Sequence, residues 1–518
     1  MSTATPRDGA PASPRTSSDS DSFSSGRHSP SHEYDSSSAL IVVSDEHGEI
    51  DHDPESFEFS SDDDDQENDQ QFDTARTSSV PPLSSFAVFL YLLSPLVKLG
   101  ALLSVEQSAQ LPLKVALPGL FFFACLCAFT RQVWYMLARY VRRADMEEVL
   151  LETFARGRGK EQKRYNIRML VRFGTAALRL LLVSVYLRAS ADAVLPFLPE
   201  TLVFLPTRIV VTVVLALCVL PLCFASSLGS SVVLYSTWLS VTTYAAWVAC
   251  TAYTHAQGMF AVSPTDESLG ALWQGLSIVA FTFTTHSTLP LYGALKGTYQ
   301  PGMPKAKRSR SFKILSLLSI VIATLLVLPP TIFRSNASPL VSQHVRTPSL
   351  GFKSFMAFLC FATLLLGIPS VLITSPALPV PLAIRRNTNL PVSRLACFLF
   401  AFILALLPRA AARVVSDVLL VMLFLSTFSV PALVHIVIHN FRRPLAIVMP
   451  PGTPATPNHP SLQHSDSYND ELLQRKERTL QRRRFARRVF WDVGVWVLLL
   501  PVSGGGLFWA AGRVTQRW

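Results

Sequence analysis

The sequence predicts an all-α polytopic membrane protein with about eleven transmembrane helices. Apolar runs near twenty residues recur along most of the chain, and about twenty helical residues at roughly 1.5 Å each cross a hydrocarbon core. Of the 518 residues, 49% are hydrophobic and only 16% charged, with mean hydropathy +0.34. Soluble domains do not carry that balance. Lys and Arg gather in alternate short loops, as the positive-inside rule requires. The formal charge of +11 is therefore an orientation signal and not the footprint of a nucleic-acid partner.

Residues 1–83 are rich in Ser, Asp and Pro, with an acidic block at Asp62–Asp65. They hold too little apolar surface to offset ordering entropy and are expected to be a disordered cytosolic tail. Met1 opens a polar stretch, so no cleavable signal peptide is expected. One apolar island, Leu40-Ile41-Val42-Val43, has the pattern of a strand that adds to a partner's sheet edge, and Ser29, Ser60 and Ser61 have the surroundings of phosphorylation sites. Cytosolic partners, if any, would meet this tail.

The membrane part is expected over residues 84–512. Span 1 runs about Phe86–Leu103 and is interrupted by Pro95 and Lys98; span 2, about Val115–Leu137, ends at Arg139, Arg142 and Arg143. After a mixed-charge segment, span 3 (about Val171–Val194) carries Arg179, Arg188 and Asp192. Spans 4 and 5 follow at about Ile209–Phe224 and Val232–Tyr253, and span 6 at Leu272–Thr298. The next five are about Ile314–Phe333, Phe352–Ile373, Leu395–Leu407, Val418–Ile438 and Val493–Ala511. With the N-terminus inside, the loops after spans 2, 6, 8 and 10 are cytosolic, and these are the basic ones, including the loop of residues 440–488. The loop after span 7 falls outside and holds an N-glycosylation acceptor, Asn336-Ala337-Ser338.

No nucleophile–base pair, metal motif or phosphate loop appears, so no enzyme is expected. All seven cysteines lie in apolar segments without metal-ligand spacing, and neither a disulfide framework nor a cofactor is implied.

Span 6 has the wrong chemistry for lipid at its centre. Phe281-Thr282-Phe283-Thr284-Thr285-His286-Ser287-Thr288 is hydroxyl-rich, carries an imidazole at mid-depth and meets Pro290. Proline removes a helix donor and clashes with the carbonyl four residues earlier, here that of His286. A span interrupted there must satisfy its loosened backbone from neighbouring helices, hydroxyls, water or a ligand. Broken helices of this kind form the midplane site of many secondary transporters. A kinked packing helix with Ser/Thr back-bonding is the plainer alternative.

Phe281, Phe283, His286, Pro290, Tyr292 and the basic turn from Lys296 resemble the sixth span of the amino acid/auxin permease family, in its neutral and vacuolar amino acid transporter branch. Tyr186-Leu187 with Ala191-Asp192 and Pro196 is similar to the end of that family's third span. Leu220-Pro221-Leu222 is similar to its fourth-to-fifth connection, and Thr427 to His435 to its tenth span. The resemblance covers about Ser84–Ala511. It implies an inverted-repeat fold, spans 1–5 against 6–10 plus one extra C-terminal helix, with discontinuous spans 1 and 6 facing each other at the substrate site. It also implies a multi-pass protein of a vacuolar or lysosomal membrane, with the plasma membrane as alternative.

Two positions depart from the family. Where span 1 of the family has Asn and then Gly-x-Gly, this chain has Pro95 and Lys98, and only Gly100 survives. Where sodium-coupled members place a Thr two residues before a proline in span 8, this chain has Gly367 ahead of Pro369. Two oxygen ligands for a hard cation are then missing, and sodium coupling is not expected. Substrate contacts are expected from Ser94, Lys98, Gly100, Phe281, Phe283, Thr284, Thr285 and His286, Lys98 among them through its charge and not through the resemblance. Candidates for a coupled proton are Lys98, His286 and Asp192, the last also an i,i+4 partner of Arg188. A lysine at mid-span must be compensated, either by snorkelling to an interface or by a place in the gap between spans 1 and 6. The leading expectation is a proton-coupled symporter or a facilitative carrier of small neutral amino acids. The alternative is a non-transporting relative acting as a membrane sensor or scaffold.

Overall fold

A computed structural model of the chain describes residues 80–107, 111–141, 143–155, 160–199, 201–202, 205–225, 227–259, 269–285, 288–295, 308–335, 348–376, 391–438, 489 and 491–514. The N-terminal tail, His286, Asn336 and the basic loop of residues 440–488 lie outside the described residues.

The described chain is almost wholly helical, and each apolar run read from the sequence falls on helix. Span 1 is α1 (Ser85–Leu93) and α2 (Leu99–Gln107), joined by the 3₁₀ turn Ser94–Val97. Next come α3 (Leu113–Val141), α4 (Met146–Phe154), α5 (Glu161–Val194), α6 (Thr207–Cys223) and α7 (Ser231–Ala256). Span 6 is α8 (Leu269–Thr282) and α9 (Thr288–Ala294). Beyond it lie α10 (Arg308–Ser335), α11 (Leu350–Leu365), α12 (Ile368–Ile373), α13 (Val392–Ala405), α14 (Arg409–Phe424) and α15 (Val430–Ile436). The last span, Trp491–Gly512, contains the π segment Leu498–Gly504 and runs into α16 (Gly505–Val514). Among the described residues, β structure is confined to the hairpin β1 (Thr201–Leu202) and β2 (Leu205–Pro206) and one bridge between Leu83 and Leu295.

Among the described residues, eight helical stretches are long and apolar enough to cross a membrane, and three shorter apolar helices (Thr207–Cys223, Leu272–Thr282, Val392–Ala405) accompany them. Large apolar side chains cover the outside, among them Leu217, Tyr235, Leu325 and Leu500, each at least 60% exposed. Hydroxyls such as Ser190, Thr237, Ser240 and Thr363 are buried. That is the distribution of a protein whose solvent is lipid, and the chain is an integral, multi-pass membrane protein.

Packing follows the small and hydroxylated residues. Helix α11 packs against α5 and α7, and α10 against α1 and α3. Ser240 of α7 donates to the Thr363 carbonyl at 2.6 Å, and the Thr243 and Thr363 hydroxyls meet at 3.0 Å. In α3, Phe129 stacks on Trp491 at 5.0 Å, and a Cβ on Gly494 would lie 2.3 Å from the Phe129 ring, so the last helix docks through that glycine. His435 of α15 lies 3.6 Å from Asp492 of the last span.

Two boundaries differ from the sequence expectation. Leu83, placed in the tail, is 3% exposed and its N–H donates to the Ala294 carbonyl at 2.7 Å, so the folded part begins before Ser84. The mixed-charge segment after span 2 contains α4, and α5 starts ten residues ahead of Val171. Its 34 residues reach about 51 Å at 1.5 Å each, more than a bilayer core needs. Glu147 of α4 holds that extension by ion pairs to Arg168 (2.7 Å) and Arg172 (2.8 Å).

Candidate functional site

The break in span 1 is built from three neighbours. Pro95 stands at the start of the 3₁₀ turn, where its missing N–H does no harm. Lys98 leaves the helical region altogether, at φ −111° and ψ −133°. Its carbonyl then accepts from Leu102 N–H at 3.0 Å and starts α2.

Span 6 breaks in a similar way. Helix α8 ends in a tightening turn, with Phe283 N–H on the Ala280 carbonyl and Thr284 N–H on the Phe281 carbonyl, both at 3.1 Å. Thr284 and Thr285 are non-helical, and α9 starts at Thr288. Pro290 therefore lies in the first turn of α9, a position that proline tolerates, rather than within a continuous helix. Thr427 of α14–α15 secures the open backbone: Thr285 N–H donates to its Oγ1 at 3.1 Å, and that hydroxyl donates to the Thr285 carbonyl at 3.1 Å. Thr427 is itself inside a π turn, Leu425–Ser429, an irregularity frequent at functional sites.

The two broken spans touch. A Cβ on Gly100 would lie 2.6 Å from Thr282 Cα and 2.8 Å from its nitrogen, so the first turn of α2 meets the last turn of α8 backbone to backbone. Gly100 thus acts in helix contact. Gly100→Ala is expected to cost about 1–3 kcal/mol by overpacking. The measurement is the melting temperature in mild detergent, and an unchanged value would mean that the contact is looser than described.

Lys98 is buried at 2% exposure and does not snorkel. Its ammonium turns toward the kink between α11 and α12, where Nζ donates to the Gly367 carbonyl at 3.3 Å. It stands 5.8 Å from the centre of the Tyr186 ring, a cation–π contact. A Cβ on Gly367 would come within 2.5 Å of Nζ and 2.6 Å of Cε. Lys98 and Gly367, 269 residues apart in sequence, are therefore one feature in space. Among the described residues no carboxylate lies within ion-pair distance of Lys98. An ammonium has three donors, and one carbonyl and a ring face serve it poorly in a dry interior.

A cavity of about 30 Å³, room for a water or two, adjoins this group between Ser94, Lys98, Tyr186, Pro290, Ser370 and Thr374. Ser94 Oγ and Thr285 Oγ1, one at each break, are buried without a hydrogen-bond partner. The orphaned Ser94 hydroxyl and the under-partnered ammonium line the same cavity, and they share one chemical complement: a small anion bearing several oxygens, such as a carboxylate.

The other candidates fall in different places. Phe281 and Phe283 are core residues at 8% and 0% exposure, and Thr284 returns its hydroxyl to the Phe281 carbonyl at 2.8 Å. Asp192 is half exposed and lies between Arg188 (3.8 Å) and Arg208 (3.3 Å), away from the residues lining the Lys98 cavity. Arg188 also holds the end of span 9 through the Leu407 carbonyl at 2.8 Å.

Sequence reasoning passed over Arg131. It is 2% exposed, and its guanidinium donates to the Leu92 carbonyl of α1 (2.8 Å), to Ser319 Oγ (2.7 Å) and to the Ser316 carbonyl of α10 (3.4 Å). It pins the turn that precedes the span 1 break. The available signal was a cation ten residues before the end of α3, inside an apolar run.

No protein-family model and no curated protein matches this chain.

Proposed function

We propose that the chain is a secondary transporter of small neutral amino acids that works by alternating access, proton-coupled or facilitative and not driven by sodium. The eleven apolar helices then form a five-plus-five inverted repeat with an extra C-terminal helix. The carrying observation is the Lys98 ammonium, buried at the break of span 1 against the Gly367 carbonyl with no acidic partner among the described residues. A resident ammonium there does the electrostatic work of a bound cation and is a partner for a substrate carboxylate. Unlike a guanidinium, it can also release its proton in a transport cycle. The cavity beside it is too small for an amino acid, so binding requires the halves of spans 1 and 6 to part, which alternating access supplies.

The test is uptake of radiolabelled small neutral amino acids into proteoliposomes, with and without an inward pH gradient and with sodium or potassium outside. Uptake independent of sodium is expected. Lys98→Met is expected to lower it at least about tenfold, the effect of one charge-assisted contact, with protein abundance near parental. Sodium-dependent uptake by the parent, or parental uptake by Lys98→Met, would sink this reading.

The tightness of the same packing favours a second reading, a non-transporting membrane sensor or scaffold that keeps the fold. Absence of uptake by the parent for every amino acid tried, in both gradient conditions, would decide for it.

A further inference from the structure

A second cavity, of about 370 Å³, adjoins Arg131 between α3, α10 and the last span. Its polar lining is Arg131, Gln132, Tyr135, Lys313 and Ser316, with no acidic residue among the lining positions. Arg131 spends both terminal nitrogens on Leu92, Ser316 and Ser319, but its Nε is buried without a partner. Lys313 is exposed, with its ammonium 5.1 Å from the centre of the Tyr135 ring. No carboxylate lies within ion-pair distance of Lys313 among the described residues.

The remaining walls are apolar. Phe129 and Trp491 stack at one side, and Leu317, 57% exposed, carries the lining out to the surface that faces lipid. The depth is also set. Lys313 is five residues into α10, and Trp491 opens the last span, both at the helix ends that carry the basic, cytosolic loops. Lys305 and Lys307 just ahead of α10, and Arg308 and Arg310 in its first turn, add positive charge at that end with no acid among them.

We propose that this cavity binds one anionic phospholipid of the cytosolic leaflet. The phosphate is held by Lys313 beside the positive charge of Arg131, and the acyl chains run along Leu317 and the exposed flank of α10. Two cations without counter-charge over an apolar, lipid-facing wall match a molecule that is anionic at one end and hydrocarbon at the other. A soluble phosphate matches only half of the site. This inference does not depend on transport.

The test compares the parent, Lys313→Ala, Lys313→Arg and a control, Lys353→Ala, which removes an exposed lysine from the start of α11. Each is reconstituted in nanodiscs of phosphatidylcholine alone or with a minor fraction of phosphatidylserine or phosphatidylinositol phosphate. Retained lipid is then counted by native mass spectrometry after release into detergent. The parent is expected to keep one anionic phospholipid in preference to phosphatidylcholine. Lys313→Ala should reduce retention about fivefold, the effect of one basic residue at a lipid headgroup, while Lys313→Arg and the control keep it. Equal retention by the parent and Lys313→Ala would overturn the proposal, as would equal loss in Lys353→Ala. In phosphatidylcholine discs, inorganic phosphate should not raise the parent's melting temperature as the anionic lipid does; if it does so equally, the site is a free-anion site and the lipid assignment fails.

Discussion

Gly367→Thr is expected to collapse the folded yield of the protein, and adding Lys98→Gly is expected to restore it. Any side chain at 367 starts with a Cβ 2.5 Å from Lys98 Nζ and 3.0 Å from its Cδ, so the lysine must move. It has little room, being 2% exposed and fixed at its backbone by the break of span 1. Overpacking alone costs about 1–3 kcal/mol. Displacing the ammonium from the Gly367 carbonyl leaves a buried charge without its acceptor, a further loss of about 3 kcal/mol or more. Together these rival the whole stability of a typical fold. With Lys98→Gly the clash has no second party, and the cycle should show a coupling energy close to the full loss. Monodisperse yield on size-exclusion chromatography and melting temperature measure it. Losses that add without compensation would show that the two positions act separately. The double variant also regains a hydroxyl where the ammonium stood, and sodium is expected to raise its melting temperature but not the parent's.

Arg131→Met should be nearly as damaging, for a different reason. The methionine fills much of the space but satisfies none of the three acceptors, Leu92 O, Ser319 Oγ and Ser316 O. Ser319 Oγ keeps its own bond to the Ser316 carbonyl, but hydrogen bonds from a charged donor contribute about 1.5–3 kcal/mol each, so a loss of about 3–5 kcal/mol and a fall in abundance of at least tenfold are expected. Arg131→Lys is expected to rescue only part of the loss, because one ammonium on a flexible stem cannot span three acceptors on two helices as a planar fork does. Ser319→Ala, which removes a single acceptor, should cost about 1 kcal/mol. Parental stability in Arg131→Met would mean that α1 and α10 do not rely on the pin.

These residues show what was legible in the sequence. The helices were, because most apolar runs are long enough to span a bilayer and lipid enforces helix. Both breaks were, since Pro95 with Lys98 and the hydroxyl run ahead of Pro290 are chemically wrong for a continuous span. Lys98 and Gly367 were each visible as departures, but nothing in one dimension says that they meet; that follows only from how α11 and α12 pack beside span 1. Arg131 was hidden by its company, since it reads as one more cation of the series that continues with Arg139, Arg142 and Arg143. Helix α4 was hidden because charges that pair in space, such as Glu147 with Arg168 and Arg172, look like loop composition in sequence. The role of His286 lies outside the described residues.

The π turn at Leu425–Ser429 has a consequence for motion. A π turn holds one residue more than an α turn, so annealing it would rotate the chain beyond it by about 100° and slide it about 1.5 Å. Thr427 sits inside that turn, and such a rotation would carry its hydroxyl off the Thr285 backbone. The neighbouring Ser429 hydroxyl donates to Ser503 at 2.7 Å, within the π segment of the last span, and Ser503 in turn donates to the Leu498 carbonyl at 2.9 Å. One loosened coil thus leans on another through a serine pair. The last span is thereby tied to the span 6 break: a shift of the π turn that frees the Thr285 backbone from Thr427 also disturbs the Ser429–Ser503 pair.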